Sequence, residues 1–159
     1  MVSKYRILII VSLVIIILDQ VTKWLVLVNM PLYESIPIIE NLFNLTHIHN
    51  TGGAFGFMAD QSPLIRQILF HGVSFLSLGV IVYFYHQAPT KYPFLLVSLS
   101  LIFGGAVGNL IDRFRLGEVV DFLDFYVGHY HWPAFNVADS AVSVGVTVLM
   151  YYMIVKKAI

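Results

Sequence analysis

Four long apolar runs dominate the chain, and polar loops separate them. The runs cover approximately residues 6–28, 64–86, 94–112 and 135–156, interrupted mostly by Gly, Ser and Thr. About 20 helical residues cross the hydrocarbon core of a bilayer, so each run is long enough to span it. The pattern predicts an all-α membrane protein with four transmembrane helices. Because no repeat, linker or low-complexity tract interrupts it, residues 1–159 are expected to form a single domain.

The first run also resembles a secretory signal, because the basic sequence MVSKYR precedes the apolar residues Ile7 to Leu18. No small-x-small cleavage site follows, and the apolar character resumes after Asp19-Gln20 as far as Val28. We therefore expect a retained transmembrane anchor.

Basic residues predict that both termini are cytoplasmic. They precede the first run, occur in the short second loop and close the chain, whereas residues 33–63 contain no Lys or Arg. The two outer loops then carry most of the polar residues, and the alternation in NLFNLTHIHNTGGAF favours short strands there. Arg113 and Arg115 lie on the outer side against this rule, which indicates that another interaction holds them.

The overall composition supports a membrane protein and excludes several other classes. Hydrophobic residues make up 58% of the chain and charged residues only 11%. Nine basic and nine acidic residues leave no net charge, so no nucleic-acid partner is expected. The chain contains no cysteine, which excludes disulfides, thiolate metal ligands and a cysteine nucleophile.

Ionisable residues near the ends of the spans are candidates for function, because a charge in hydrocarbon is costly without a partner. Asp19 and Lys23 are four residues apart on the first helix, which predicts a structural ion pair. At the outer end of the third span, Asn109, Asp112 and Arg113 share one helical face. Arg113 either holds a carboxylate or carbonyl group, or acts as an interfacial anchor.

Small residues on the third span predict close helix packing. Gly104 and Gly108 lie one helical turn apart, a spacing that admits a neighbouring backbone.

Two separate aspartates are expected to meet between the third and fourth spans. These spans are antiparallel, so the loop carrying VVDFLDF returns to the start of the fourth span, where Asn136 and Asp139 lie in FNVADS. Asn136 and Asp139 alone are explained by an N-terminal cap. Asp121 and Asp139 can also share one proton, activate water and protonate a leaving group, as in aspartic proteases. We expect Asp124 to be structural and to pair with Arg115.

Five motifs together resemble bacterial lipoprotein signal peptidase, also called signal peptidase II, over essentially the whole chain. In chain order they are DQVTKW (19–24), HNTGGAFG (49–56), GNLIDR (108–113), GEVVDFLDF (117–125) and FNVADS (135–140). Gly53 stands where the family often has alanine, which gives that loop more conformational freedom.

The resemblance implies a four-span aspartyl endopeptidase of the bacterial inner membrane, with a small extracytoplasmic β-rich cradle and an active site toward the periplasmic face. Such an enzyme removes the signal peptide from diacylglyceryl-modified prolipoproteins, cleaving just before the lipidated cysteine, and needs no cofactor or metal. Membrane lipids and globomycin-type inhibitors are further expected ligands. The implied residues are Asp121 and Asp139 for catalysis, Asn50, Asn109, Arg113 and Asn136 for substrate binding, and Asp19, Lys23 and Asp112 as supporting residues.

Three other functions fit less of the sequence. His47 and His49 in the first outer loop, and His129 and His131 in the second, form two H-x-H pairs that could bind zinc in a metal-dependent membrane hydrolase. Carboxylates in a membrane domain also suit a proton-coupled transporter, but these acids lie toward one face and no inverted repeat is visible. A serine protease is disfavoured, because GVSFL around Ser74 lacks the second glycine of a nucleophile elbow.

Overall fold

The computed structural model describes residues 4–51 and 62–156. In chain order the elements are α1 (Lys4–Asn29), β1 (Ser35–Ile39), β2 (Phe43–Asn50), α2 (Pro63–Gln87), α3 (Pro93–Leu116), β3 (Val119–Val127), β4 (Tyr130–His131) and α4 (Val137–Ile154). The prediction of four spanning helices with a small β-rich part is confirmed. The expectation for Gly53, most of the HNTGGAFG motif and the C-terminal Lys157 fall outside the described residues.

The third helix is longer than the sequence pattern predicted. It continues to Leu116 and ends at Gly117, whose φ of 78° is left-handed and whose N–H donates to the carbonyl of Arg113. Arg113 and Arg115 therefore lie in the last turn of α3. Basic side chains there face the negative end of the helix dipole, which accounts in part for their exception to the charge rule.

The helices pack around α3, which contacts α1, α2 and α4. More than half of α3 is buried, whereas the other three described spans are mostly exposed and apolar, as lipid contact requires. At one end of the bundle, Nζ of Lys4 donates to the carbonyl of His86 at 2.6 Å, and the hydroxyl of Tyr85 donates to the carbonyl of Lys4. These bonds tie the start of α1 to the end of α2.

A four-stranded antiparallel sheet lies at the opposite end, in the order β1-β2-β3-β4. The strand β2 precedes α2 and β3 follows α3, so the pairing of β2 with β3 brackets the α2–α3 hairpin. Val120 and Phe122 pack against Val26 and Met30 at the end of α1. The strand predicted in the first outer loop is confirmed by β2, but VVDFLDF was not predicted as a strand, although its β-branched and aromatic residues favour one.

Glycines allow the close approach of α3 to its neighbours. A Cβ on Gly104 would lie 3.0 Å from Cα of Ser12, and one on Gly108 would lie 2.7 Å from Oδ2 of Asp19. Both partners are on α1, so the predicted packing role of this pair is confirmed.

Overpacking at Gly145 on α4 should destabilise the protein. In Gly145→Ala the new Cβ would lie 2.7 Å from the carbonyl oxygen of Ser98, on α3, and the expected cost is about 1–3 kcal/mol. Gly79→Ala is the matched control, because nothing lies within 4 Å of its Cβ position and alanine gains up to about 1 kcal/mol of helix propensity. Thermal unfolding in detergent micelles compares them, and an undiminished midpoint for Gly145→Ala would contradict this packing.

Candidate active site

A cavity of about 530 Å³ opens beside α4 and the sheet. Its apolar walls include Trp132, Phe135 and Val142. Its polar wall contains five of the residues predicted for catalysis and binding: Asn50, Asn109, Arg113, Asp121 and Asp139. The structure thus brings together residues from β2, α3, β3 and α4.

Asp121 projects from the middle of the buried part of β3 and is 3% exposed. Nδ2 of Asn136 donates to its Oδ1 at 2.7 Å, and Nδ2 of Asn50 donates to its Oδ2 at 3.1 Å. Each carboxylate oxygen therefore has an amide donor, which fixes the orientation of the group.

Asp139 lies in the first turn of α4. Nδ2 of Asn109 donates to its Oδ1 at 2.7 Å, and the backbone N–H of Asn136 donates to its Oδ2 at 3.3 Å. The Asp139 N–H donates in return to Oδ1 of Asn136 at 2.9 Å, completing a capping box. The cap expected from the sequence is therefore present. Asn136 also contacts Asp121, and Asp139 lines the same cavity as Asp121.

The pKa of Asp121 is raised from the ordinary 3.8 to about 7. Burial is the largest cause, and the negative charge of Asp139 adds to it, against the opposing effect of the two amide donors and of Lys23. Asp121 is therefore partly protonated near neutral pH.

Lys23 is the centre of the supporting residues. Its buried ammonium lies 2.9 Å from Oδ2 of Asp19, 2.7 Å from Oδ2 of Asp112 and 2.9 Å from Oδ1 of Asn109. These three acceptors satisfy its three N–H donors. The ion pair predicted between Asp19 and Lys23 is confirmed, and through Asn109 the same cation is linked to Asp139.

Both carboxylates that pair with Lys23 also accept a backbone hydrogen bond. The N–H of Ala138 donates to Oδ1 of Asp19 at 2.9 Å, and the N–H of Val120 donates to Oδ2 of Asp112 at 3.2 Å. Ala138 directly precedes Asp139, and Val120 directly precedes Asp121. The supporting acids therefore position the backbone next to each candidate catalytic residue.

Gln20 belongs to this group, and the sequence analysis did not single it out. Its Nε2 lies 2.9 Å from Oδ1 of Asp112 and 3.2 Å from Oδ2 of Asp19. Nη1 of Arg115 donates to its Oε1 at 3.3 Å. Its position beside Asp19 in the DQVTKW motif was the sequence feature that could have identified it.

Arg113 lies beside the aspartates. Its guanidinium is over the ring of Phe70, 5.3 Å from the centroid, and Nη1 donates to the carbonyl of Asn109 at 3.4 Å. Its charge interacts with those of Asp139 and Asp121. This position favours a role at the cavity over that of an anchor extended toward the headgroups.

The predicted pairing of Asp124 with Arg115 is wrong. Nδ2 of Asn44 donates to Oδ2 of Asp124 at 2.9 Å, and Nδ1 of His131 lies 2.8 Å from its Oδ1. Residues three apart on a strand point to opposite faces, so Asp124 faces away from Asp121 and ties β3 to its two neighbouring strands.

The two H-x-H pairs lie in different surroundings. Nε2 of His47 and Nε2 of His49 contact each other at 3.1 Å, whereas His131 contacts Asp124. Over residues 4–51 and 62–156 the side chains form no group of three or more His, Cys, Asp or Glu placed to hold a metal ion. The arrangement of these histidines therefore lends no support to the zinc hypothesis.

Solved structures of bacterial membrane enzymes share this fold. One, determined by the in meso method at 2.3 Å, matches with a TM-score of 0.84 and 32% identity, over 95% of this chain and 89% of its own. A second, determined at 1.9 Å, matches with a TM-score of 0.82 and 33% identity, over 92% of both chains. The fold is therefore that of a bacterial membrane enzyme.

Sequence comparison identifies the family. The family model for signal peptidase (SPase) II matches residues 11–155. The lipoprotein signal peptidase of Desulforapulum autotrophicum is 55% identical over 92% of this chain and 91% of its own length. That of Geobacter sulfurreducens is 51% identical over 94% of this chain and 92% of its own length. The chain therefore belongs to the signal peptidase II family of membrane peptidases, which confirms the resemblance found in the motifs.

The raised pKa of Asp121 predicts that stability decreases with pH. Between 3.8 and about 7 the folded protein binds a proton at Asp121 that the unfolded chain lacks, so the free energy of unfolding falls across this window. In Asp121→Asn this contribution is absent, and the thermal midpoint in micelles should depend less steeply on pH. Asp124→Asn, which retains Asp121, should keep the wild-type slope, and equal slopes for all three proteins would contradict the assignment.

Proposed function

We propose that this protein is the aspartyl endopeptidase that removes the signal peptide from diacylglyceryl-modified prolipoproteins, cleaving just before the lipidated cysteine. Asp121 and Asp139 are its catalytic pair. The observation that carries the proposal is their shared cavity, where the charge of Asp139 helps to raise the pKa of Asp121 to about 7. Membership of the signal peptidase II family supports the peptidase activity itself.

The surroundings of the two acids suit different roles in peptide hydrolysis. Burial raises the pKa of Asp121 to about 7, so Asp121 is the acid that carries a proton near neutral pH. Hydrogen bonds from an amide and a backbone N–H orient both oxygens of Asp139. In the proposed mechanism Asp139 takes a proton from water as the water oxygen attacks the scissile carbonyl carbon. Asp121, in its protonated form, donates its proton toward the carbonyl oxygen. As the C–N bond breaks, Asp139 passes the proton taken from water to the leaving nitrogen, and the hydroxyl proton returns to Asp121 as the new carboxyl group forms.

The rest of the cavity suits an apolar substrate with one polar cleavage point. Trp132, Phe135 and Val144 supply apolar walls for a signal peptide or its acyl chains. Arg113 and Asn50 line the polar side, where N–H donors stabilise negative charge developing on the carbonyl oxygen. Substrate binding by Asn50, Asn109, Arg113 and Asn136 is part of this proposal.

We also propose a location in the inner membrane with both termini cytoplasmic and the site toward the periplasm. Lys4 lies at the end of the bundle opposite the sheet, tied to the end of α2. The excess of Lys and Arg at that end supports this orientation, because cytoplasmic loops retain basic residues.

Replacing either acid of the pair should abolish cleavage. Asp121→Asn and Asp139→Asn remove a proton acceptor or donor at the scissile bond, and turnover of a lipidated prolipoprotein in detergent should fall at least about a hundredfold. Asp124→Asn is the matched control, because Asp124 lies on the opposite face of β3 and should retain substantial activity. Equal loss in Asp121→Asn and Asp124→Asn would show that the pair is wrongly divided.

The same assay, run with two substrates and with an inhibitor, tests the proposed substrate specificity. The lipidated prolipoprotein should be cleaved and its unlipidated form should not, and globomycin should inhibit the reaction. Near-normal turnover by Asp121→Asn, with the protein folded, would overturn the catalytic assignment.

Cleavage should not depend on a bound metal ion, because the proposed chemistry uses two carboxylates and water. Preincubation with a strong chelator should leave turnover within about twofold of the untreated enzyme. A loss of activity that added zinc restores would instead favour a metal-dependent hydrolase.

A further inference from the structure

Two histidines and a glutamate form a continuous hydrogen-bond chain next to the site. Nδ1 of His47 lies 2.8 Å from the carbonyl oxygen of Met30, just after α1. The Nε2 atoms of His47 and His49 are 3.1 Å apart, and Nδ1 of His49 is 3.0 Å from Oε2 of Glu118. His47 is buried, while His49 and Glu118 are partly exposed. The chain joins the end of α1 to the residue directly before β3.

The number of protons along this chain determines the charge of the His47–His49 pair. A carbonyl oxygen only accepts, so Nδ1 of His47 donates to Met30, and Nδ1 of His49 donates to an ionised Glu118. Between the two Nε2 atoms one ring must donate and the other accept. The ring that donates there carries protons on both nitrogens and is an imidazolium. With Glu118 ionised, all three hydrogen bonds therefore exist together only when the pair carries one positive charge.

The contact between Asn50 and Asp121 lies at the same end of the β2–β3 pair. The strands β2 and β3 are paired in register at His49 and Asn50. Because side chains alternate along a strand, His49 and Glu118 lie on one face, and Asn50 and Asp121 on the other. Nδ2 of Asn50 donates to Oδ2 of Asp121 at 3.1 Å. The bond between His49 and Glu118 thus holds the two strand ends that bring Asn50 to Asp121.

Other charged and titratable groups surround this chain. Glu118 lines a second cavity of about 200 Å³ together with Arg113 and His71. Glu34 lies beside His47, whose N–H donates to the Glu34 carbonyl at 3.0 Å, and Asp121 lies across β3. The positive charge of Arg113 opposes a second positive charge in this region, whereas the carboxylate of Glu118, in direct contact with His49, favours it.

We propose that His49 is a positioning residue for the peptidase reaction. Bonded to Glu118 and sharing one positive charge with His47, it fixes the end of β2 so that Asn50 orients Asp121. When the pair is neutral it has only two N–H groups for the three hydrogen bonds, and the loss of one bond releases the strand end. This inference rests on the proposed function of Asp121. Loss of the His49 contacts should lower kcat more than it changes KM, because Asn50 contacts Asp121, the proposed catalytic group.

The test compares wild type, Glu118→Gln, His49→Arg and the double variant by kcat and KM for the lipidated prolipoprotein, from about pH 5.5 to 8.5. Without the carboxylate the positively charged histidine pair is less stable, so the alkaline fall in kcat of Glu118→Gln should move about half a pH unit or more toward acid. Arginine stays charged, so His49→Arg should keep kcat within about threefold of wild type. In the double variant, the alkaline fall in kcat should occur at the same pH as in His49→Arg.

Two kinetic results would overturn the inference. A Glu118→Gln profile that coincides with that of wild type would mean that the charge of the His47–His49 pair does not affect the reaction. The same movement in both backgrounds would mean that Glu118 acts on the aspartate pair directly.

Histidine protonation is measured without any activity. ¹⁵N NMR of histidine-labelled protein in micelles should show three protonated nitrogens across His47 and His49 at about pH 6, and a neutral pair there would also overturn the inference. Retained cleavage by Asp121→Asn would instead defeat the proposed function, so the two failures are distinguishable.

Discussion

The buried ammonium of Lys23 is the interaction on which the site depends. Its three N–H groups are all used, by Asp19, Asp112 and the side-chain oxygen of Asn109. Two carboxylates around one cation leave a net negative charge, and further N–H donors compensate for it at Asp19 and Asp112. Without the cation these buried carboxylates would be uncompensated, a situation that typically costs about 3–5 kcal/mol. This group is therefore organised around one lysine that takes no direct part in the proposed chemistry.

The supporting acids act on the chain through its backbone. The N–H groups of Ala138 and Val120 are held by the partners of Lys23, and each directly precedes a proposed catalytic residue, Asp139 or Asp121. Asp121 lies on a strand and Asp139 at the start of a helix, so each side chain has a defined direction. The positions and directions of the two side chains are thus set by hydrogen bonds and not by apolar packing alone.

Apolar length was sufficient to predict the four helices, and the resemblance of the motifs to signal peptidase II named the residues that meet at the cavity. The hydrocarbon core imposes the helix length, and the antiparallel return of the chain brings Asp121 toward Asp139. The partner of Asp124 could not be predicted, because it depends on the register of β2 against β3, which joins residues 80 apart. Gln20 was missed for a similar reason, since its contact with Asp112 depends on how closely α1 approaches α3 at Gly108.

The pairing of β2 with β3 and the docking of α4 depend on contacts between residues that are far apart in the sequence. This dependence has a consequence for folding in the membrane. Asn50 and Asp121 are 71 residues apart, and Ala138 and Asp19 are 119 apart. Each helix satisfies its own backbone hydrogen bonds and can insert separately, whereas these contacts require loop closure that lowers the chain entropy first. The proposed catalytic pair is therefore complete only when α4 is packed against α1 and α3. A chain whose helices have inserted but not docked holds the two acids apart and lacks the proposed hydrolytic centre.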